Sequence, residues 1–224
     1  WQFTPTQKAT YALKQEGITE HVYEVGNTVV DALCQISGKL RRIIKLKNLD
    51  DKKLILLTVH RRENWGENLQ KVILAIKEII SINQDVIFFI PLHPNKIVRE
   101  PFLKEFLNNS QVILSEPLDY ISLLSVMKKS RLILTDSGGI QEEAPSFNKP
   151  VLILRNKTER IESIESNCAK LVGCDISKIV NSVNQLINND NIYNEMSCIP
   201  NPYGDGNASK IILEKSIEFL KKNK

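Results

Sequence analysis

Asp136-Ser137-Gly138-Gly139 is the stretch of this chain best suited to do chemistry. It follows an apolar run at 132–135 and precedes a helical pattern at 140–147. The first N–H groups of a helix have no partners inside the helix. The helix dipole adds roughly half a positive charge at the same place. Two glycines remove side chains, so an anion can approach the backbone. Ser137 adds a hydroxyl donor. Such a turn holds a diphosphate without a lysine. Glu143, one helical turn after Gly139, is placed to accept from the hydroxyls of the same ligand, and a ribose diol suits it. Taken alone, the four residues more readily describe a plain strand-to-helix turn with a cap.

Three further loops carry cations or histidines. His60-Arg61-Arg62-Glu63-Asn64 follows the apolar run 54–59, and His93-Pro94-Asn95 follows 86–90. Arg160 closes Asn156-Lys157-Thr158-Glu159-Arg160, after 151–154. If the runs are parallel strands, all four loops lie on one sheet edge, and their convergence predicts an anionic ligand. Individually, the His-Arg-Arg triplet reads as solvated and His93 as a turn cap. His21 has no clustered partner and reads as structural or exposed.

Those loops need a frame. The runs 54–59, 86–90, 112–114, 132–135, 151–154 and 169–172 are short, aliphatic and nearly free of charge, as strands covered on both faces should be. Leu69, Val72, Ile73, Ile76, Ile79 and Ile80 recur at helical spacing, as do Ile176, Ile179, Val180, Val183 and Ile187. Alternating strands and helices predict an α/β fold, a Rossmann-like doubly wound parallel sheet. Before it, 9–16 reads as a helix stopped by Gly17 and 22–25 as a strand. Thr28 reads as the N-cap of a helix running to about Lys45, interrupted by Gly38. Asn201-Pro-Tyr-Gly-Asp-Gly206 is a turn-rich break. From Ala208 a last helix shows an apolar face of Ile211, Ile212, Ile217 and Leu220.

The bulk properties narrow the function classes. At 224 residues the chain is one large domain, or one domain with pieces of another. A net charge of +4, scattered along the chain, does not argue for nucleic acid. The densest basic run, Lys39-Leu-Arg-Arg-Ile-Ile-Lys45, reads as a solvated helix face. No apolar stretch approaches the ~20 residues that span a bilayer, and no leader peptide is expected. The opening at Trp1, inside a folded pattern, predicts a fragment or a processed chain. Cys34, Cys168, Cys174 and Cys198 lack zinc-ligand spacing, so reduced thiols in a cytoplasmic protein, with no metal and no cofactor, are expected.

Asp136-Ser-Gly-Gly-Ile-Gln-Glu-Glu-Ala-Pro-Ser146 resembles the signature of the non-hydrolysing UDP-N-acetylglucosamine 2-epimerases. His60-Arg-Arg-Glu-Asn64, Pro91-Leu-His-Pro-Asn95, Thr158-Glu-Arg160 and Asn201-Pro-Tyr-Gly-Asp-Gly206 resemble further motifs of that family, in its order and at its approximate spacing. The resemblance covers essentially the whole chain. It implies the second domain of a GT-B-type two-domain enzyme. Residues 1–17 would end the first domain, 18–207 would form the UDP-binding domain, and the helix 208–224 would cross back.

The resemblance also implies roles. Ser137, Gly138 and Gly139 match the diphosphate turn, Glu143 the ribose-binding glutamate, and His60 and Arg160 the cationic groups of the UDP site. Arg61 and His93 match positions that bind a second, activating UDP-N-acetylglucosamine. Leu118 and Leu123 fall in the loop around the uracil, where some members carry Gln and Phe. The family makes UDP-N-acetylmannosamine by eliminating UDP across C1–C2 and re-adding it, in cell-surface polysaccharide biosynthesis. Its proton-transfer carboxylates are expected outside this chain, which would bind UDP weakly and not epimerise by itself. A homodimer is expected of the full-length protein, with UDP and UDP-N-acetylglucosamine as ligands and neither nucleic acid nor membrane as partner. Two alternatives stay open: half of a GT-B glycosyltransferase, and a non-catalytic nucleotide-sugar binding or regulatory module.

Overall fold

The computed structural model describes residues 1–38, 40 and 51–222. Apart from Leu40, the basic run 39–45 and the expected extension of a helix to Lys45 lie outside the described residues. The chain forms two compact units: Trp1–Lys39 with Asn201–Lys224, and Leu40–Pro200.

In the first unit, β1 (Gln2–Thr4) pairs in parallel with β2 (Val22–Glu24), joined by α1 (Gln7–Gln15). Thr6 caps α1 by accepting from the Ala9 N–H at 3.3 Å. The next helix, α2 (Thr28–Ser37), is capped by Asn27 and not by Thr28: Asn27 Oδ1 accepts from the Val29 N–H at 3.0 Å. The asparagine sits one residue earlier in extended backbone, where its carbonyl reaches N2, so Thr28 becomes the first helical residue. His21 is exposed and stacks on Trp1, with ring centroids 5.9 Å apart.

The second unit holds a six-stranded, all-parallel sheet. Its elements are β3 (Lys53–Thr58), α3 (Glu67–Ile82), β4 (Val86–Pro91), α4 (Lys96–Phe106), β5 (Val112–Ser115), α5 (Tyr120–Lys129), β6 (Leu132–Thr135), α6 (Gly138–Glu143), β7 (Val151–Ile153), α7 (Ile161–Glu165), β8 (Ala169–Leu171), α8 (Ile176–Asn188) and α9 (Asp190–Ser197). The strand order is β5-β4-β3-β6-β7-β8. Chain progression therefore reverses between β3 and β6, and ligands of open α/β sheets bind outside the carboxyl ends of strands at such a reversal.

Strand alternation assigns the two faces. Ile55, Leu57, Phe88, Ile90, Leu132 and Leu134 join α3, α4 and α8 in one buried core. Leu56, Phe89 and Ile133 are buried on the opposite face, where α5 packs on β3. The pattern expected at 140–147 splits into α6 and a 3-10 turn at Ala144–Phe147. Pro145 has no N–H to continue an α-helical ladder.

The first unit closes with the 201–206 turn and α10 (Ala208–Lys222). The turn lies on the Gly26-Asn27 bend: the Asn27 N–H donates to Tyr203 O at 2.7 Å. Gly204 has φ +134, and a Cβ there would come 3.4 Å from the Gly26 Cα. The motif thus serves close backbone packing. Asp31 of α2 is buried and caps α10, accepting from the Ala208 N–H at 3.1 Å and the Ser209 N–H at 2.7 Å. Of the expected apolar face of α10, Ile211 and Ile212 are half-buried while Ile217 and Leu220 are exposed. No helix among the described residues is long and apolar enough to cross a membrane.

Candidate functional site

The carboxyl ends of β3 and β6 are neighbours, with Thr58 opposite Thr135. Their hydroxyls lie 2.6 Å apart, and the Thr135 hydroxyl accepts from the Ser137 N–H at 3.0 Å. This fixes the turn leaving β6 against the loop leaving β3.

Asp136 joins the two loops. It is fully buried and accepts from the backbone N–H of His60 and of Arg61, the latter at 2.9 Å. Asn64 Nδ2 donates to the same carboxylate at 2.9 Å, and His60 Nδ1 lies 3.0 Å from its Oδ1. Burial alone would raise this carboxyl, but the hydrogen bonds from His60 and Arg61 hold it below its usual range. Arg61 Nε donates to the Asp136 carbonyl at 2.9 Å. Asn64 is itself buried: its Nδ2 also donates to Leu154 O at 2.9 Å, and its Oδ1 accepts from Cys174 Sγ at 3.3 Å. The Cys174 thiol is pushed up to about 11 by burial and by the nearby Asp136 charge, so it remains a neutral donor.

Beyond Asp136, α6 starts at Gly138, and the Ser137 side chain makes no capping bond to it. Arg160 lies against this turn. A Cβ on Gly138 would meet Arg160 Cζ at 3.1 Å, so glycine is what lets the guanidinium come this close. Arg160 is held by Glu142 at 2.9 Å and Glu159 at 2.8 Å. Its loop is tied back to the helix, because Gln141 Oε1 accepts from the Thr158 hydroxyl at 2.7 Å. Ser137, Gly138, Gly139 and Arg160 thus form one group. The Gly138 and Gly139 N–H groups precede the first intrahelical bond, from the Gln141 N–H to Ser137 O.

His60, His93, Leu118 and Leu123 form a second group, lining one cavity of about 180 Å³ with Val59 and Pro91. The His60 and His93 rings stack with centroids 6.4 Å apart. His93 Nδ1 also accepts from the Asn95 N–H at 3.1 Å, so it caps its turn and lines the cavity at once. Arg61 is anchored on Asp136 and lies 3.6 Å from Glu159. Glu143 is buried and accepts from the Tyr120 hydroxyl at 2.9 Å. Burial raises the Glu143 carboxyl and Glu142 adds to the rise, against a lowering by Tyr120.

The raised Glu143 carboxyl has a pH signature. The folded state favours its protonated form, so its contribution to stability is full at acid pH and is lost as pH rises through the raised value. Glu143→Gln keeps an acceptor for Tyr120 and removes that loss. Urea unfolding is expected to show the variant at least as stable as the parent at neutral pH, with the advantage gone at acid pH. Loss of the charged acceptor is expected to weaken nucleotide binding about tenfold. A variant less stable at neutral pH contradicts this account.

A larger cleft, about 590 Å³, is lined by residues including Glu63, Lys71, Arg155, Lys157, Cys174 and Asp175. Its charges are of mixed sign, and Asp175 already caps α8 by accepting from the Lys178 N–H. It suits a diphosphate less well than the glycine turn. No local pattern in the sequence marks Asp136, Asn64, Tyr120 or Glu142 for a role. Asp136 and Asn64 lie within quoted motifs, and it is the β3–β6 adjacency that brings them together.

Residues 1–216 match the model of the UDP-N-acetylglucosamine 2-epimerase family. The UDP-N-acetylglucosamine 2-epimerase of Neisseria meningitidis serogroup A is 44% identical over 223 residues, which are 96% of this chain and 60% of that protein. The Escherichia coli K12 enzyme is 40% identical over 224 residues, again 96% and 60%. A co-structure of S. aureus MnaA with UDP superposes with a TM-score of 0.93 at 40% identity, over 98% of this chain and 60% of that one. The wall teichoic acid polymerase TagF, at 12% identity and a TM-score of 0.60, shares the fold alone. The chain spans about 60% of the length of the curated relatives it matches. On the match over residues 1–216, the chain belongs to the UDP-N-acetylglucosamine 2-epimerase family.

Proposed function

We propose that this chain is the UDP-holding half of an enzyme that interconverts UDP-N-acetylglucosamine and UDP-N-acetylmannosamine. The observation that carries the reading is the placement of Arg160 against Gly138, next to a loop that Asp136 anchors at His60 and Arg61. Ser137, Gly138, Gly139 and Arg160 take the diphosphate, with His60 beside them. Glu143 accepts from the ribose, and the Leu118 and Leu123 side chains offer the uracil apolar walls without stacking or amide bonding. Arg61 and His93 serve a second, activating UDP-N-acetylglucosamine.

Elimination of UDP across C1–C2 needs a base for the C2 proton and an acceptor for the developing charge on UDP. This chain supplies the second task. The base belongs to the part of the family's length that this chain does not span. The complete enzyme is proposed to act in the cytoplasm as a homodimer, in cell-surface polysaccharide biosynthesis.

Titration of the 224-residue chain with UDP, UMP and uridine tests the reading. UDP is expected to bind at least about tenfold more tightly than uridine, the difference one charge-assisted contact makes. With UDP-N-acetylglucosamine, NMR is expected to show no C2 epimer. Equal affinities for UDP and uridine contradict the diphosphate assignment, and robust turnover contradicts the division of labour.

A further inference from the structure

We propose that Asp136 is a positioning residue that fixes the tautomer of His60, holding hydrogen on Nδ1 so that Nε2 is the nitrogen offered to the ligand. The proposal rests on the reading above in one respect only, that His60 faces the bound diphosphate.

Asp136 Oδ2 accepts from the Arg61 N–H at 2.9 Å, from Asn64 Nδ2 at 2.9 Å and from the His60 N–H at 3.0 Å. Those three donors anchor the loop, and a structural role would need no more. The other oxygen, Oδ1, shares the His60 N–H at 3.2 Å and lies 3.0 Å from the His60 Nδ1. An ionised carboxylate only accepts, and a bare Nδ1 would set its lone pair against that oxygen, so the approach favours hydrogen on Nδ1 in neutral imidazole as in imidazolium. Asp136 is held ionised by the donors around it, so it does not offer a proton of its own. The Asn64 amide is oriented independently, because its Oδ1 accepts from Cys174 Sγ while its Nδ2 reaches Asp136. That orientation keeps Oδ2 occupied and leaves Oδ1 to the histidine. Nε2 is then an acceptor in neutral His60 and a cationic donor in protonated His60, on a ring that lines the 180 Å³ cavity.

Asp136→Asn separates positioning from scaffolding. The asparagine carbonyl can take the place of Oδ2 and keep the loop's three donors. Its NH₂ then faces Nδ1, which must become an acceptor, and His60 is driven to the Nε2–H tautomer. Long-range ¹H–¹⁵N correlation on histidine-labelled protein, above the ordinary imidazole pKa range, reads the tautomer directly. The parent chain is expected to show Nδ1–H and the variant Nε2–H. UDP affinity is expected to fall about tenfold in Asp136→Asn, and no further when the change is made in a His60→Ala background.

Nε2–H in the parent chain overturns the proposal whether or not the variant folds. So does an unchanged tautomer in the variant, or a second loss of affinity on top of His60→Ala. If the tautomer switches while His60→Ala leaves UDP affinity unchanged, the positioning stands and the assignment of His60 to the diphosphate falls.

Discussion

Arg160→Ala is expected to weaken UDP binding by about a hundredfold, with little change in the unfolding midpoint. A charge-assisted bond to a phosphate contributes ~1.5–3 kcal/mol, and each ~1.4 kcal/mol is tenfold in affinity. The upper end applies because the change also strips Glu142 and Glu159 of the guanidinium they share, leaving two carboxylates beside the anion. Arg160→Lys is expected to rescue only part of the loss, since an ammonium cannot hold both carboxylates and a phosphate with a planar fork. Gly138→Ala tests the same geometry from the other side. The new Cβ would lie 3.1 Å from Arg160 Cζ and push it away. It should therefore weaken binding in the parent chain and do less once Arg160 is gone. Isothermal titration with UDP checks all three. Unchanged affinity in Arg160→Ala would remove this residue from the site.

Phe88→Ala is expected to give the largest loss of stability. Phe88 is fully buried on β4, between the facing residues of β3 and β5 and under α3 and α4. Truncating a buried phenylalanine costs ~3–5 kcal/mol, a large part of the ~5–15 kcal/mol that holds a domain together. For a chain of this size the thermal midpoint should fall by ~6–20 °C. Leu107, which is 67% exposed, is the control: Leu107→Ala should shift it little. A fall in the midpoint that is no larger for Phe88→Ala than for Leu107→Ala contradicts the packing described here.

The strands were the most legible part of the fold. The run expected at 132–135 is β6 to the residue, and the other five strands of the large sheet end within one residue of expectation, because strands covered on both faces read as unbroken apolar runs. Helix ends were less legible. Asn27 and Thr28 are both good caps, and only the backbone geometry of the Gly26-Asn27 bend selects the first. The 201–206 motif stood out by composition, yet Gly204 is needed for a close approach to Gly26, and Gly206 for one to Cys34, that no local pattern encodes.

The same limit applies to the site. Loops could be assigned to one edge of the sheet from strand polarity alone. Strand order could not, and it is the direct pairing of β3 with β6 that places Asp136 under His60 and Arg61. The Tyr120–Glu143 and Arg160–Glu142 pairs are likewise products of packing between residues 18 to 23 positions apart in sequence.

The central claim is that UDP is held at the glycine turn. Addition of UDP to ¹⁵N-labelled chain, followed by amide correlation spectra, tests it most directly. The account predicts the largest shifts at Gly138, Gly139 and Ile140, with smaller ones at His60 and Glu143. Shifts concentrated around Lys71, Lys157 and Asp175, with the amides of 138–140 unmoved, would place the anion in the larger cleft and contradict it.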